Sequence, residues 1–323
     1  MVRSKRGLLH QGQTATFFEA WGGALAYNLQ VYFDFSGYSD MAIGLSRMFG
    51  ILLPQNFYSP FKSQSIIEFW QRWHMTLGRV IYQYVFLPFS FFFAQTRILR
   101  KKKLATAFVT IILTYLLVGL WHGAGWTFIC FGFIQGLFYF INFSWRHFTA
   151  KIKKYSDKKQ NTRFLRLIYW GITYLSLVIS FVVFRAENMS TAISMYSSMI
   201  GGHGFSLTEH YFSFLNYLFG LGNYLENAWH WKFSDQAMLI SLGRFEIFSF
   251  IILLVIVLTM PNTQEIMSKF SPCLDDKSNL YKKSILSIRW QPNLGFAFVT
   301  AILLIISYCF ILIGQSEFLY FSF

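Results

Sequence analysis

The chain has 323 residues, of which 54% are hydrophobic, 21% are aromatic and only 13% are charged. Ordinary globular chains carry about 25% charged residues, so this composition excludes a typical soluble domain and predicts that lipid is the solvent. The formal net charge of +14 would suggest nucleic acid in a soluble chain, but here the positive charge is confined to blocks between apolar runs. We therefore expect membrane lipid as a partner, and no nucleic acid.

Apolar runs long enough to cross a bilayer follow one another along the chain, since about 20 apolar residues in a helix span the ~30 Å hydrocarbon core. Residues 104–145 (two crossings), 167–184 and 294–314 are uncharged and long enough, and 80–96 is a further uncharged run. Residues 245–260 are fewer and include Glu246, and 20–33 leads into Asp34 and Asp40, so these two runs are weaker candidates. Pro88 interrupts the run 80–96 and predicts a kinked span or a dip into the membrane. The pattern indicates an all-α polytopic bundle of about six or seven crossings, forming one membrane domain over residues 1–323.

The basic residues indicate the orientation of these spans. They are grouped in blocks at residues 3–6, 97–103, 146–166 and 269–289. An excess of Lys and Arg marks cytoplasmic loops, so these blocks and the polar loop 151–163 are predicted inside. The less basic stretch 186–242 is predicted outside, with short surface helices within residues 201–243. Three cysteines, Cys130, Cys273 and Cys309, are scattered without metal-ligand spacing, so we predict no disulfide and no metal site.

One polar segment has a clear helix signal. Ser65 and Glu68 have the spacing of a capping box, and Glu68 precedes Arg72 by four residues, the favourable order for an ion pair. We predict one helix over residues 65–80. On such a helix the two indoles of residues 70 and 73 and the imidazole of His74 share an apolar face. His74 is either a functional group or an interfacial histidine anchored by the tryptophans.

His122 is the one residue of the charge-free stretch 104–145 that titrates near neutral pH. Ionisable groups at membrane depth usually face a cavity or a partner. Glycines at 119, 123 and 125 surround it and allow close backbone approach, and Trp121 precedes it. His122 is therefore a candidate catalytic base, or else a histidine that hydrogen-bonds a neighbouring helix.

Asp34 and Asp40 bracket a turn-prone segment, Phe-Ser-Gly-Tyr-Ser. Being six residues apart, they do not share one helix face. One of them caps a helix, or both line a polar cavity. Buried His and Asp permit two classes of function: a membrane transferase with a histidine base, or a transporter whose polar residues line a permeation path.

Seven segments in order resemble the membrane-bound O-acyltransferase family, and specifically its alginate O-acetyltransferase branch. They are YFDFSGYSDMAIG at 32–44, PQNF at 54–57, FWQRWHMTL at 69–77, GLWHGA at 119–124, FRA at 184–186, MPNTQ at 260–264 and SEFLYFSF at 316–323. Each segment alone is a weak signal, but together and in this order they are highly specific.

The resemblance implies a helix bundle with a funnel into the membrane, His122 as the catalytic histidine and His74 as its supporting histidine. We expect the substrate site to include further residues from the same segments. They are Asp34, Asp40, Asn56, Arg72, Trp73 and Trp121.

The chain departs from the family pattern in two places, ahead of the first motif and in the segment 84–90. Family members usually have several more spans ahead of the first motif, so the chain is expected to lack N-terminal spans and to hold the C-terminal part of the family domain. The family also usually has a glycine pair where this chain reads YVFLPFS at 84–90.

The resemblance implies acyl transfer from a thioester, such as acetyl-CoA, to a hydroxyl of an exported polysaccharide such as alginate. No bound cofactor is expected. Peptidoglycan O-acetylation and teichoic-acid D-alanylation are alternative reactions. An extracytoplasmic acyl-relay protein is an expected partner, and the bacterial inner membrane is the expected location. A neutral imidazole suits removal of the hydroxyl proton, and His74 or the backbone N–H groups of residues 123–125 would stabilise the oxyanion.

Overall fold

A computed structural model describes residues 14–153, 162–233, 244–274 and 284–313. These residues are mostly helical, which confirms the predicted fold class. They divide into two compact units, Met1–Gln30 with Phe86–Leu254, and Val31–Val85 with Val255–Phe323. The predicted basic block at 3–6, most of the predicted loop 151–163 and the segment 316–323 lie outside the described residues.

The elements of the described residues are given in chain order. The helices are α1 (Phe17–Met48), α2 (Ile66–Arg72), α3 (Met75–Ile81), α4 (Leu87–Gln95), α5 (Lys103–His122), α6 (Trp126–Lys153), α7 (Thr162–Arg185), α8 (Met189–Met199), α9 (Glu209–Phe219), α10 (Leu221–Trp229), α11 (Arg244–Thr259), α12 (Thr263–Ile266) and α13 (Leu294–Ile313). Short 3₁₀ turns occupy Pro60–Lys62 and Ser268–Phe270, and strands β1 (Ser206–Leu207) and β2 (Lys232–Phe233) pair in parallel.

Five helical stretches of the described residues are long and apolar enough to cross a membrane. They are Met75–Gln95, Lys103–His122, Trp126–Ala150, Arg163–Arg185 and Leu294–Leu312, with Ile247–Thr259 as a shorter apolar helix. A helix satisfies all its backbone hydrogen bonds internally, which a span in lipid requires. The predicted crossing at 20–33 falls within the longer α1, which is not one of these five stretches.

The first of these spans contains a π-helical turn. Residues Tyr82–Phe86 adopt this conformation between α3 and α4. Pro88 lies two residues after this turn, and its ring nitrogen cannot donate the hydrogen bond that a regular helix would require. The irregularity at this place is therefore explained by proline, and the helix continues through it instead of ending.

In the first unit, α5 and α6 form an antiparallel pair joined by residues 123–125. The backbones of the two helices are in close contact at Gly119 of α5 and Gly132 of α6. A methyl group on Gly119 would overlap the carbonyl oxygen of Phe128 and lie 3.2 Å from the Cα of Gly132, while one on Gly132 would overlap the carbonyl oxygen of Tyr115. Small residues allow such backbone contact between helices in lipid.

Helix α7 packs on the same pair through a buried polar contact. The side-chain amide of Gln135 donates to the hydroxyl of Ser180 at 2.7 Å, and Ser180 donates to the carbonyl oxygen of Leu177 at 2.9 Å. Both polar side chains are fully buried. Because they are paired with each other, neither adds an unsatisfied group to an apolar interior.

The stretch after α7 contains the surface helices expected within residues 201–243. Helices α9 and α10 are joined at Gly220, whose φ of 65° lies in the left-handed region that favours glycine. Their exposed rings include Tyr217 and Trp229.

The second unit has an aromatic core. The rings of Tyr32, Phe57, Phe61, Phe69 and Trp73 contact one another with centroid distances of 5.1 to 6.4 Å. All five are buried. Edge-on and offset contacts of this kind add about 0.5–1.5 kcal/mol per pair beyond the burial of area. This cluster therefore gives rigid support to the segments that carry Asn56 and His74.

Candidate active site

His122 is the last residue of α5, and the chain continues into Gly123 and Gly125. Glycine costs about 1 kcal/mol in a helix relative to alanine, so this sequence favours termination. The backbone N–H of Gly123 donates to the carbonyl oxygen of Leu120 at 3.2 Å, which closes the last turn. A side chain at Gly123 would overlap the ring of Phe128. Any side chain at this position would force the Phe128 ring to move.

The His122 imidazole is held by aromatic rings. Phe184 at the end of α7 lies edge-on to it, with a centroid distance of 5.2 Å and an interplanar angle of 84°. The ring of Trp121, a half-exposed residue, lies 4.8 Å away at 70°. Within the described part of the chain, neither imidazole nitrogen makes a hydrogen bond. The structural alternative, a histidine bonded to a neighbouring helix, thus finds no such bond there, and a lone pair remains for a substrate proton.

Phe184 has a role that the sequence did not reveal. Its ring also contacts Phe128, Phe131 and Phe181, at centroid distances of 5.5, 4.8 and 5.9 Å. It is the first residue of the Phe-Arg-Ala segment, one of the seven that carry the resemblance. That segment pointed to the right place, but nothing in its composition showed that its phenyl ring supports the imidazole.

His74 occupies a break between two helices, so the prediction of one helix over 65–80 is wrong. Helix α2 ends at Arg72, Trp73 is extended, and His74 has a φ of 45° in the left-handed region. A non-glycine residue is rarely found there, and the conformation costs of order 1–3 kcal/mol. The predicted shared face of the indoles and His74 therefore does not exist as a helical stripe.

The start of α2 is as predicted. The hydroxyl of Ser65 accepts from the backbone N–H of Glu68 at 3.2 Å, as an N-cap does. The Glu68 carboxylate accepts from the backbone N–H of Gln64 at 2.9 Å and from Arg72 at 2.5 Å. Arg72 is buried and ion-paired, and Trp73 is buried in the aromatic core. Their predicted substrate contacts stay predictions.

Asn56 is brought directly against His74. The His74 Nδ1 lies 3.0 Å from the Asn56 Oδ1, and the hydroxyl of Thr76 donates to the same oxygen at 2.9 Å. Two ring contacts complete the surroundings of the imidazole, with Phe35 edge-on at 4.8 Å and Phe57 stacked at 6.5 Å. The structure therefore groups residues that are 18 positions apart in the chain.

Asp34 and Asp40 lie in α1, so the expected turn between them is wrong. Helix α1 runs without interruption through Phe-Ser-Gly-Tyr-Ser. The Asp40 carboxylate accepts from the hydroxyl of Thr263 at 2.6 Å and from the side-chain amide of Gln264 at 2.7 Å. Burial raises the pKa of Asp40, and the hydrogen bonds from Thr263 and Gln264 oppose that rise. Asp40 thus connects α1 to the start of α12.

The stability of the protein is expected to depend on the ionisation of Asp40. The folded state keeps the Asp40 proton to higher pH than the unfolded state, because its folded pKa is raised. The contribution of Asp40 to stability is therefore greatest below the unfolded pKa of about 3.9 and declines as pH rises through the folded pKa. Asp40→Asn removes this dependence. The measurement is the thermal midpoint of both proteins in detergent between pH 4 and 8.

Thr263→Val supplies the companion variant. The Thr263 hydroxyl stabilises the charged carboxylate, so its loss should matter more at the high end of the pH range, by about 0.5–1.5 kcal/mol because the bond is exposed. An Asp40→Asn protein with the same pH slope as the wild type would contradict this account.

His122 and Trp121 belong to the first unit, and Asn56, His74 and Asp40 to the second. The ring contacts given above for His122 lie in the first unit, and the contacts given for Asn56, His74 and Asp40 lie in the second. Among the described residues, no three His, Cys, Asp or Glu side chains come together as a metal site would require.

Helices long and apolar enough to span a membrane and two histidines held by aromatic rings describe a helical membrane protein with two candidate functional histidines. Residues 10–184 match the model of MBOAT, the membrane-bound O-acyltransferase family. This match includes both histidines and more than half of the chain. The chain belongs to the membrane-bound O-acyltransferase family.

Curated relatives come from several bacteria. The chain is 38% identical over 192 residues to a peptidoglycan O-acetyltransferase of Helicobacter pylori, covering 59% of this chain and 33% of the relative. It is 41% identical over 197 residues to a protein named probable alginate O-acetylase AlgI of Pseudomonas syringae, covering 61% and 34%. A teichoic acid D-alanyltransferase of Streptococcus thermophilus is 30% identical over 170 residues, covering 50% and 40%. The matched part of the chain thus spans about a third of the length of the first two relatives.

Proposed function

We propose that this protein transfers an acetyl group from an acyl thioester to hydroxyl groups of an exported polysaccharide, at the bacterial cell membrane. The observation that carries the proposal is the His122 imidazole, which stands at the end of a charge-free span with no hydrogen bond among the described residues. Membership of the family and the O-acetylation named for several relatives support it.

The reaction needs one base and moves one proton. A nitrogen of His122 takes the proton of the acceptor hydroxyl as its oxygen attacks the thioester carbonyl carbon. The new carbon–oxygen bond forms, the carbon–sulfur bond breaks, and the departing thiolate takes the proton from the imidazolium. The products are an acetate ester and a thiol, and the histidine is neutral again. No covalent enzyme intermediate is needed.

The donor and the acceptor follow from the chemistry. Acetyl-CoA, or another acyl thioester supplied from the cytoplasm, is the proposed donor, and an extracytoplasmic acyl-relay protein is a proposed partner. Alginate is the proposed type of acceptor, since a relative at 41% identity is named for it. Peptidoglycan is the second candidate, because the relative named for it has nearly the same identity, 38%.

The test is deletion of the gene in the producing bacterium, followed by quantification of base-released acetate and D-alanine on each isolated polymer. We expect acetate to be lost from the exported polysaccharide while the polymer yield stays unchanged. Loss of acetate from peptidoglycan would select the second candidate, and loss of D-alanine would select teichoic acid. Unchanged acetate with a loss of polymer export would overturn acyl transfer in favour of a transporter.

A further inference from the structure

We infer that Asn56 is a positioning residue that keeps the proton of neutral His74 on Nδ1, so that Nε2 is the proton-accepting nitrogen of this imidazole. The inference deepens the proposed function and rests on it for its catalytic meaning. The tautomer itself is a structural property that is measurable without any assay of transfer.

The argument begins with the identity of the Asn56 side-chain atoms. The backbone N–H of Thr76 points at the Asn56 Oδ1 at 3.4 Å, and the Thr76 hydroxyl donates to it at 2.9 Å. A backbone N–H can only donate, so the amide atom that faces it must be the carbonyl oxygen and not the NH₂ group. The network thus assigns the orientation of the Asn56 amide.

This orientation decides the role of the imidazole. An amide oxygen can only accept, so the His74 Nδ1 at 3.0 Å from it must carry the hydrogen. In a neutral imidazole one nitrogen is a donor and the other an acceptor, and the bond made by one nitrogen sets the state of the other. With its proton on Nδ1, neutral His74 has its lone pair on Nε2.

Backbone contacts hold the two segments in register. The backbone N–H of Met75 donates to the carbonyl oxygen of Asn56 at 2.9 Å, and that of Tyr58 donates to the carbonyl oxygen of Arg72 at 2.9 Å. These bonds join Asn56 and Tyr58 to the residues on either side of the Trp73–His74 pair. They also explain why His74 is kept in a left-handed conformation, since a rare backbone geometry persists only where its surroundings determine it.

Ring packing fixes the plane of the imidazole. Phe35 is perpendicular to it at a centroid distance of 4.8 Å, and Phe57 is nearly parallel at 6.5 Å with an angle of 27°. A flipped imidazole would place a carbon where Nδ1 now meets the Asn56 oxygen. The hydrogen bond and the two rings therefore favour the same single orientation.

The consequence for the reaction differs from what the sequence led us to expect. A neutral His74 with its proton on Nδ1 presents an acceptor at Nε2, so it cannot donate to an oxyanion through that atom. It can instead accept a proton or a hydroxyl hydrogen bond. We therefore leave oxyanion stabilisation to donors other than Nε2 of His74, and the one proton of the transfer goes to His122 as proposed above.

The experiment is NMR of the full chain in lipid nanodiscs with ¹³C,¹⁵N-labelled histidine, at a pH where His74 is neutral. The difference from His74→Gln identifies the His74 signals. We expect the Nδ1–H tautomer in the wild type and a shift of population towards Nε2–H in Asn56→Leu. Thr76→Val, which leaves the Asn56 oxygen facing Nδ1, serves as the matched control and should keep the wild-type tautomer.

Activity provides the second measurement. Asn56→Leu should lower polymer acetylation at least about tenfold, the rate equivalent of one lost hydrogen bond. Asn56→Asp retains an acceptor for Nδ1–H and should recover most of the loss together with the wild-type tautomer, and it is this joint recovery that links acetylation to the tautomer. Thermal midpoints exclude unfolding as the cause.

Two results would overturn the inference: an Nε2–H tautomer in the wild type, or a tautomer unaffected by Asn56→Leu. Failure of the proposed function has a different signature, because the expected tautomers would then be observed while the gene deletion leaves polymer acetylation unchanged.

Discussion

Replacing His122 with alanine is expected to lower polymer O-acetylation by about 10²–10⁴-fold, the usual contribution of a positioned general base. The substitution removes the imidazole but leaves α5 intact, because alanine is the residue that most favours helix. The measurement is base-released acetate per unit of polymer from cells that contain equal amounts of each protein.

The control for this variant is His147→Ala. His147 lies in α6, is exposed and has a ring contact with Phe148, so its loss should leave acetylation unchanged. His122→Gln tests whether side-chain volume alone suffices. Wild-type acetate in the His122→Ala strain would remove His122 from the mechanism, and an acetyl group trapped covalently on the protein would argue against direct transfer.

The second large effect is expected at the contact between α5 and α6. Gly132→Ala would place a methyl group on the carbonyl oxygen of Tyr115, and Gly119→Ala would place one on that of Phe128. Backbone atoms cannot rotate away, so the helices must separate. Overpacking of this kind costs about 1–3 kcal/mol and sometimes more. We expect both variants to lower the thermal midpoint in detergent and, because Gly119 is one turn before His122, to lower acetylation as well.

Gly171→Ala is the matched control for both glycine variants. Gly171 also lies within an apolar span, α7, but a methyl group there has no neighbour within 4 Å. Alanine gains about 0.5–1 kcal/mol over glycine in a helix interior, so this variant should be as stable as the wild type or more so. Equal destabilisation by Gly171→Ala and Gly132→Ala would show that the backbone contact is not the cause.

The membrane spans and the main candidate residue could be predicted from sequence because both depend on local composition. A run of apolar residues must be helical in lipid whatever its neighbours are. His122 was conspicuous because it interrupts a stretch without formal charge. The surroundings of His122 were not predictable, since Phe184 comes from another helix and no local pattern indicates that its ring contacts the imidazole.

The break at His74 shows where local reasoning failed. The capping signal at Ser65 was correct, and the helix does begin there. The spacing of the following aromatic residues was compatible with a continuous helix, but hydrogen bonds from Tyr58 and to Asn56 override it. Those partners are more than a dozen residues away, so the spacing of residues within a helix gives no information about them.

The turn expected between Asp34 and Asp40 was wrong for the opposite reason. Its glycine and serines favour a turn when considered alone, yet α1 continues through them. Intrinsic propensity is a weak prior that tertiary contacts override. Here the partners of Asp40 are Thr263 and Gln264. They belong to the segment 260–264, which carries part of the family resemblance but whose structural role the sequence did not indicate.

The bonds of Asp40 also determine an order of events during biosynthesis. Gln264 follows Asp40 by 224 residues, so at ~5–20 residues per second the ribosome needs roughly 10 to 45 s to supply it. Until then α1 has been made but the Asp40 carboxylate has neither of these two donors. The second unit, assembled from an early and a late segment of the chain, is therefore completed only after synthesis has passed α12.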